Sequence, residues 1–203
     1  MARTTPGVTR QRLLDEAIHL FATQGYAATS VADIQAACGL TTGSGALYKH
    51  FSSKQALLEQ AVRQHSETIT NRSRDALTPR TEESADQALH RLATTVWEVI
   101  DSHHELIRIM LRDYDVFPEL FERMWQDTVD SLYRTGAAWL RDQQERGTIE
   151  VDDPDATSAV LLASLTYHPL LHTLIGHTPG DTARERFLAA WLDHAAHTLQ
   201  PRE

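Results

Sequence analysis

The sequence is poor in several features that mark particular classes of protein. It has one cysteine, Cys38, among 203 residues, so no internal disulfide can form, in agreement with a reducing compartment. No run of about 18 uncharged apolar residues occurs, and the first residues lack the apolar stretch of a signal peptide. We therefore expect a cytoplasmic protein with no membrane partner, in which Cys38, in its apolar context, is a core residue and not a catalytic thiol.

Lysine is also scarce, and the charge is unevenly distributed. The chain has two lysines, Lys49 and Lys54, which lie close together. Residues 1–54 carry five basic groups against three acidic ones, a balance of +2, whereas the whole chain carries −9 and the remainder therefore −11. Such an asymmetry is typical of a chain that brings one end to a polyanion, although chance scatter of surface charge is the alternative.

Alternation of apolar and polar residues is missing as well, so nothing predicts a β-strand. Apolar residues recur instead at helical spacing along almost the whole chain, which predicts an all-α fold of about nine helices. Two short helices near the N-terminus are followed by a third element, which runs from residues 41–45 through Tyr48. Gly39 marks the bend between the second and third elements, as in a helix-turn-helix.

The segment GLTTGSGALYKHF, residues 39–51, is the strongest candidate for a nucleic-acid contact. A recognition element must bring its first residues against base edges, and bulky side chains there would hold the backbone away. Glycines allow that approach, hydroxyls can reach phosphates or bases, and lysines can pair with phosphates. The predicted DNA contacts are Thr29, Thr41, Thr42, Gly43, Ser44, Gly45, Tyr48, Lys49, His50 and Lys54.

Two other interpretations of this segment are open. One is a three-helix packing unit that has no DNA partner. The other is a cradle for a phosphate-bearing small molecule, since glycine-rich turns before helices also bind nucleotides. No GKS or GKT follows and no strand precedes the segment, which excludes a P-loop.

The N-terminal part of the chain, up to about residue 60, resembles the DNA-binding domain of the TetR family of bacterial transcriptional repressors. The residues that carry the resemblance are Ala17, Phe21, Gly25, Tyr26, Thr29, Ser30, Val31, Asp33, Ile34, Ala37, Gly39, Leu47, Tyr48, Phe51, Lys54, Leu57 and Leu58. The distance from Gly39 to Tyr48 is longer than the family pattern by about two residues, so TTGSG contains an insertion. Beyond this part the similarity is only general.

The resemblance implies a function and an organisation for the whole chain. Residues 1–54 would be a three-helix DNA-binding domain, and residues 55–203 a helical effector-binding and dimerisation domain. The protein would be a homodimeric, ligand-responsive repressor, not an enzyme, without cofactor or metal. Its partners would be a pseudo-palindromic double-stranded DNA operator and a small-molecule effector, in the bacterial cytoplasm and associated with the nucleoid.

Two C-terminal helices are the candidates for the dimer interface that the family uses. Residues 159–175 are uncharged and apolar nearly all round, which is typical of a helix covered on both sides, and the last helix has a wide apolar stripe. A monomer with an unusually buried terminal helix is the alternative. The predicted interface residues are Leu161, Leu165, Leu171, Phe187, Trp191 and Ala195.

Aromatic and methionine side chains in the larger domain are candidates for an effector pocket, although residues of these types at helical spacing are also typical of a core. Two irregularities support a pocket: Pro169 removes a hydrogen bond inside an apolar helix, and Gly136 lies inside another helix, which suggests close approach of another chain or a ligand. The predicted pocket residues are Trp97, Met110, Phe121, Met124, Trp125, Tyr167 and His168.

Histidine spacing leaves a different function open. His168 with His172, and His194 with His197, each lie on one helical face, which permits metal binding and would suit a metal-dependent helical enzyme. No cysteine or close carboxylate completes either pair. A DNA-binding activator or architectural protein without an effector is the other alternative.

Overall fold

A computed structural model of the chain describes residues 6–78, 80 and 83–199, with side chains from residue 9 onward. Within those ranges every regular element is helical, which confirms the all-α prediction. The α-helices are α1 (Pro6–Gln24), α2 (Val31–Ala37), α3 (Lys54–Leu77), α4 (Ala85–Ser102), α5 (His104–Asp113), α6 (Pro118–Met124), α7 (Ser131–Glu145), α8 (Pro154–Ile175) and α9 (Arg184–Leu199). Short 3₁₀ turns cover Leu47–Lys49, Tyr114–Val116 and Pro179–Asp181, and a π-helical turn, Trp125–Asp130, lies between α6 and α7.

The chain divides into two compact units. The first contains the described residues up to 66 together with residues 105–124, and the second contains residues 67–104 and those from 125 onward. The dividing position between Ser66 and Glu67 lies inside α3. The functional boundary after residue 54 stays a prediction.

The first unit has one apolar core, to which α1, α2, α3, α5 and α6 all contribute. On α1 the apolar residues recur every three or four positions, so one stripe of the helix faces this core. Phe21 of α1 and Phe121 of α6 are both fully buried. Cys38 lies in the same core with 5% of its surface exposed, and burial raises the pKa of its thiol. Its expected role as a core residue is confirmed.

In the second unit, α8 packs against α4 and α7, and α9 packs against α4. Gly136 of α7 lies where a Cβ atom would stand 2.5 Å from the Ser158 hydroxyl oxygen of α8. The missing side chain therefore lets α7 approach α8, so the close neighbour at Gly136 is a helix of the same chain. Pro169 lies within α8, and the helix continues past it to Ile175.

Helix α8 is unusually apolar. Among the described residues it is the one helix long and apolar enough to cross a membrane, and 33% of its most apolar window is buried within the chain. Length and composition alone are weak evidence for a membrane span, because core helices of soluble proteins have the same properties.

Candidate nucleic-acid interface and effector cavity

The start of α2 is fixed by a reciprocal cap. The Ser30 amide donates to the Asp33 carboxylate at 2.8 Å, and the Asp33 amide donates to the Ser30 hydroxyl oxygen at 3.1 Å. The Ser30 hydroxyl also donates to the carboxylate, and these bonds lower the pKa of Asp33. Thr29, just before the cap, is 1% exposed and donates to the Gly25 carbonyl at 2.8 Å. The structure therefore places Thr29 inside the turn between α1 and α2.

The segment after Gly39 is an exposed turn. Gly43 and Gly45 have φ values of 78° and 64°, and a Cβ atom on either would meet nothing within 4 Å. Backbone conformation, not lack of space, is thus the reason for glycine at both positions. Since positive φ interrupts a right-handed helix, the third element is a single 3₁₀ turn, Leu47–Lys49, and is shorter than the sequence predicts.

The turn exposes most of the side chains predicted to contact DNA. Thr41, Thr42, Gly43, Ser44 and Lys49 are exposed, Tyr48 is 58% exposed, and Gly45 and His50 are partly exposed. Leu47 between them is fully buried in the core of the first unit. The buried leucine thus anchors a turn whose polar groups remain open to solvent.

Gln35 of α2 holds this turn from inside, and the sequence analysis missed it. The side chain is 2% exposed, and its amide donates to the Thr41 carbonyl at 3.0 Å and to the Ser44 hydroxyl oxygen at 3.3 Å. The backbone carbonyl of Gln35 accepts from the Leu40 amide at 2.8 Å. A signal was available, because residues 31, 34, 35 and 38 have the spacing of one helical stripe and Gln35 is its one polar member.

Lys54 does not point freely outward. Its ammonium group donates to the carbonyls of Tyr26 and Thr29, at 2.8 and 2.7 Å, and lies 4.1 Å from the centre of the Tyr26 ring. Burial lowers the pKa of this ammonium group. Lys54 therefore ties the first turn of α3 to the turn between α1 and α2, which also positions α2.

The second unit contains a cavity of about 420 Å³, within the range of about 300–1,000 Å³ that is usual for small-molecule sites. It lies between the end of α4, the second half of α8, the segment 176–182 and the start of α9. Its lining includes Trp97, Asp101, His168, His172 and Arg184. The cavity thus combines aromatic surface with groups that can carry either charge.

Aromatic rings pack together beside this cavity. The His168 ring stacks on Phe187 with 4.4 Å between centroids and lies 5.2 Å from the Trp97 ring, over which Arg184 is placed at 5.0 Å. The Nε2 atom of His168 is 2.9 Å from the Thr182 carbonyl. The buried Nε1 of Trp97 and Nδ1 of His168 have no hydrogen-bond partner within the described part of the chain.

Two protein-family models match the chain. One, described as bacterial regulatory proteins of the tetR family, matches residues 13–61, which include the turn held by Gln35. The other, described as the C-terminal domain of AefR-like transcriptional repressors, matches residues 87–195, more than half of the chain. The chain belongs to the TetR family.

Individual TetR-type relatives agree with this assignment. The chain is 36% identical over 100 residues to the transcriptional repressor KstR2 of Rhodococcus jostii, a match that spans 49% of this chain and 47% of that protein. It is 24% identical over 166 residues to the regulator YvkB of Bacillus subtilis, covering 82% of this chain and 83% of that protein. Salmonella enterica GusR has the same fold, with a TM-score of 0.70 at 22% identity over 97% of this chain and 98% of that one.

Membership confirms the predicted function, a ligand-responsive DNA-binding transcriptional regulator of the TetR family. Proteins of this type are cytoplasmic, and the family is one of regulators rather than enzymes. His168 and His172 both line the cavity, but no three His, Cys, Asp or Glu side chains of the described residues are grouped to hold a metal ion. Because the family is one of transcriptional regulators, the metal-dependent enzyme is not favoured.

The seven predicted pocket residues of this TetR-family chain are divided between the two units. Trp97 and His168 line the cavity of the second unit. Met110, Phe121 and Met124 belong to or pack against the core of the first unit, and Trp125 and Tyr167 are 50% and 57% exposed. The assignment of an effector to these residues stays a prediction, and the cavity supports it at two of them.

The predicted dimer residues are also divided. Leu161, Leu165, Trp191 and Ala195 are buried by the chain itself, and the Trp191 indole donates to the Leu161 carbonyl at 3.1 Å. Leu171 and Phe187 are partly exposed. The large apolar side chains that α8 leaves exposed are Val160 at 62%, Tyr167 at 57% and Ile175 at 61%.

Proposed function

We propose that this TetR-family protein is a homodimeric repressor that binds a pseudo-palindromic DNA operator at the bacterial nucleoid and releases it when a small molecule binds. The observation that carries this proposal is the exposed turn at residues 41–49, which is poor in bulky side chains, is anchored by Leu47 and belongs to a helix-turn-helix. Residues 1–54 are the DNA-binding domain in this proposal, and residues 55–203 bind the effector and the second copy.

The exposed groups of the turn take different roles at DNA. Thr41, Thr42 and Ser44 offer hydroxyls to base edges or phosphates, and Gly43 and Gly45 let the backbone approach. At the other end of the turn, Tyr48, Lys49 and His50 contact phosphates. Thr29 and Lys54 support the helix-turn-helix without contacting DNA. Thr29 donates to the Gly25 carbonyl, and Lys54 donates to the Tyr26 and Thr29 carbonyls.

Dimerisation uses the exposed apolar faces of α8 and α9. Val160, Tyr167, Leu171 and Ile175 leave apolar surface on α8, and Phe187 leaves some on α9. A second copy of the chain covers these faces, which removes apolar area from water. The DNA-binding domains of the two copies, separated by about 34–36 Å, then enter successive turns of one groove.

The effector binds in the cavity lined by Trp97 and His168. A ligand that binds one conformation of the dimer more tightly than the other shifts the population towards it, and the altered separation of the readers releases the operator. Residues 67–77 of α3 belong to the same unit as the cavity, and residues 54–66 belong to the unit that contains the exposed turn at residues 41–49. Helix α3 therefore belongs to both units. In this proposal it transmits effector binding at the cavity to the DNA-binding turn.

Fluorescence anisotropy with duplexes from the DNA flanking the gene tests the proposal. Specific binding is expected to weaken steeply with salt, and Lys49→Ala is expected to reduce the slope of log K against log salt by about 1. Arg186→Ala, an exposed residue on α9, is the matched control and leaves the slope unchanged. Salt-independent binding, or no binding, contradicts the proposal. A thermal-shift screen in which no compound stabilises the protein favours an effector-free regulator.

A further inference from the structure

Gln35 makes two side-chain hydrogen bonds to the exposed turn and one backbone hydrogen bond to the residue just before it, although it is itself buried. The side-chain amide donates to the Thr41 carbonyl and the Ser44 hydroxyl oxygen, and the backbone carbonyl accepts from Leu40. With 2% of its surface exposed, Gln35 cannot reach DNA directly. Any effect of this residue on DNA binding therefore acts through the turn.

The turn needs such a support because packing does little to hold it. Thr41, Thr42, Gly43 and Ser44 are all exposed, and a Cβ atom on Gly43 would meet nothing within 4 Å. A glycine-containing turn without packing has many accessible backbone conformations. The bonds to Thr41 and Ser44 select among them, because they fix one carbonyl and one hydroxyl on either side of Gly43.

The bond to Ser44 also occupies one of the two acceptor positions of its hydroxyl oxygen. The Ser44 oxygen accepts the hydrogen that Gln35 donates, so the Ser44 O–H is left to donate to another acceptor. Guanine, adenine and thymine present acceptors in the major groove, and phosphate oxygens are acceptors on the backbone. Gln35 thus presents Ser44 as a hydrogen-bond donor.

From this geometry we infer that Gln35 is a positioning residue for operator discrimination. It holds residues 41–45 in one conformation before DNA arrives, so that the turn does not have to be ordered at the moment of binding. Phosphate contacts by Tyr48 and Lys49 do not depend on this detail. The inference rests on the proposed DNA-binding function, and it assigns Gln35 to the choice of sequence, not to the general attraction for DNA.

Fluorescence anisotropy with two duplexes tests the inference. One is the flanking duplex that the protein binds most tightly, and the other is a scrambled duplex of equal length. Gln35→Met keeps similar length and burial but cannot donate, so affinity for the specific duplex is expected to fall about tenfold. Affinity for the scrambled duplex and the salt slope are expected to stay unchanged. Gln55→Met, at an exposed position at the start of α3, is the matched control and changes neither duplex.

Ser44→Ala completes the test. It removes the hydroxyl that Gln35 orients, and the exposed site tolerates the change. We expect Ser44→Ala alone to lower the ratio of the affinity for the specific duplex to that for the scrambled duplex. The variant that combines Gln35→Met and Ser44→Ala should lower this ratio by less than the product of the two single fold-changes. A thermal melt checks folding. If Gln35→Met does not fold, Ser44→Ala decides: an unchanged ratio overturns the inference and a reduced ratio supports it.

The outcomes separate this inference from the proposed function. An unmodified protein that binds both duplexes equally contradicts operator recognition itself. An unmodified protein that discriminates, together with a Gln35→Met variant that discriminates equally well, overturns only the role of Gln35. Equal losses on both duplexes also overturn it, because they indicate a general structural effect.

Discussion

The candidate sites of the two units differ in how the polar side chains around them are satisfied. In the first unit, Thr29, Gln35 and Lys54 are polar side chains that each donate to identified carbonyl or hydroxyl oxygens. In the second unit, Trp97 and His168 each keep a buried nitrogen that has no partner among the described residues. Exposed apolar side chains occur in both units: Val116 of the first is 59% exposed, and Val160 of the second is 62% exposed.

The difference indicates where other molecules act on the protein. A buried polar atom without a partner costs about 1–3 kcal/mol, and an exposed apolar face forgoes the gain of burial. The unpaired nitrogens beside the cavity therefore suit the proposed effector, and the exposed face of α8 suits the proposed second copy. The first unit uses its interior bonds to hold one exposed turn in place.

The largest expected effect tests the interior of the first unit. Phe121 is fully buried in its core, so Phe121→Ala leaves a cavity and is expected to lower the free energy of unfolding by about 3–5 kcal/mol. Urea unfolding followed by circular dichroism measures it. Leu111→Ala, at a side chain that is 53% exposed on α5, is the control and changes stability by less than about 0.5 kcal/mol.

A small effect of Phe121→Ala would contradict the comparison. It would mean that Phe121 borders an open cavity, as its predicted place in an effector pocket requires. It would then not be enclosed by other core side chains. A large loss of stability supports the structure's placement of Phe121 with Phe21 in the core of the first unit.

The next effect tests the exposed face of α8. Val160→Glu places a carboxylate in the proposed dimer interface, where ionisation is costly without a partner. We expect the dimer dissociation constant to rise about 30-fold or more, as sedimentation equilibrium would measure it. Val116→Glu, at a side chain that is 59% exposed in the first unit, is the matched control. Equal effects of the two substitutions would exclude α8 as the interface.

Local signals in the sequence predicted much of the first unit. The helical spacing of apolar residues, the bend at Gly39 and the burial of Cys38 each depend on residues within a few positions, and the structure contains all three. The short 3₁₀ turn was less predictable, because the positive φ values of Gly43 and Gly45 decide its length. Pro79 in the sequence LTPRTEES also predicts a loop between two helices, and this position lies outside the described residues.

Contacts distant in sequence were not predictable from periodicity. Residues 105–124 belong to the first unit although residues 67–104 separate them from the N-terminal part of that unit. Met110 and Phe121 therefore belong to a different unit from Trp97, although all three were equal as apolar candidates. Helical spacing shows which side of a helix is buried, but not which unit it is buried in.

A smaller effect tests the interior hydrogen bonds of the first unit. Lys54→Met keeps much of the side chain but removes the ammonium group that donates to the Tyr26 and Thr29 carbonyls. We expect the free energy of unfolding to fall by about 1–3 kcal/mol, since two part-buried carbonyls lose their donor. Thermal or urea unfolding measures it. Lys49→Met, at an exposed lysine, is the control; if it destabilised the protein as much, the assigned role of Lys54 would be wrong.

The smallest effect concerns pH and the interior of the first unit. Burial lowers the pKa of His65, and the nearby carboxylates of Asp15 on α1 and Glu105 on α5 act in the opposite direction. The unfolded chain therefore binds this proton more readily, so stability is lost as pH falls below the unfolded pKa of about 6.5 and through the lower folded value. Unfolding measured from about pH 8 to about pH 5 should show a shallower decline for His65→Gln. His197→Gln, at an exposed residue of α9, is the control and should keep the full decline.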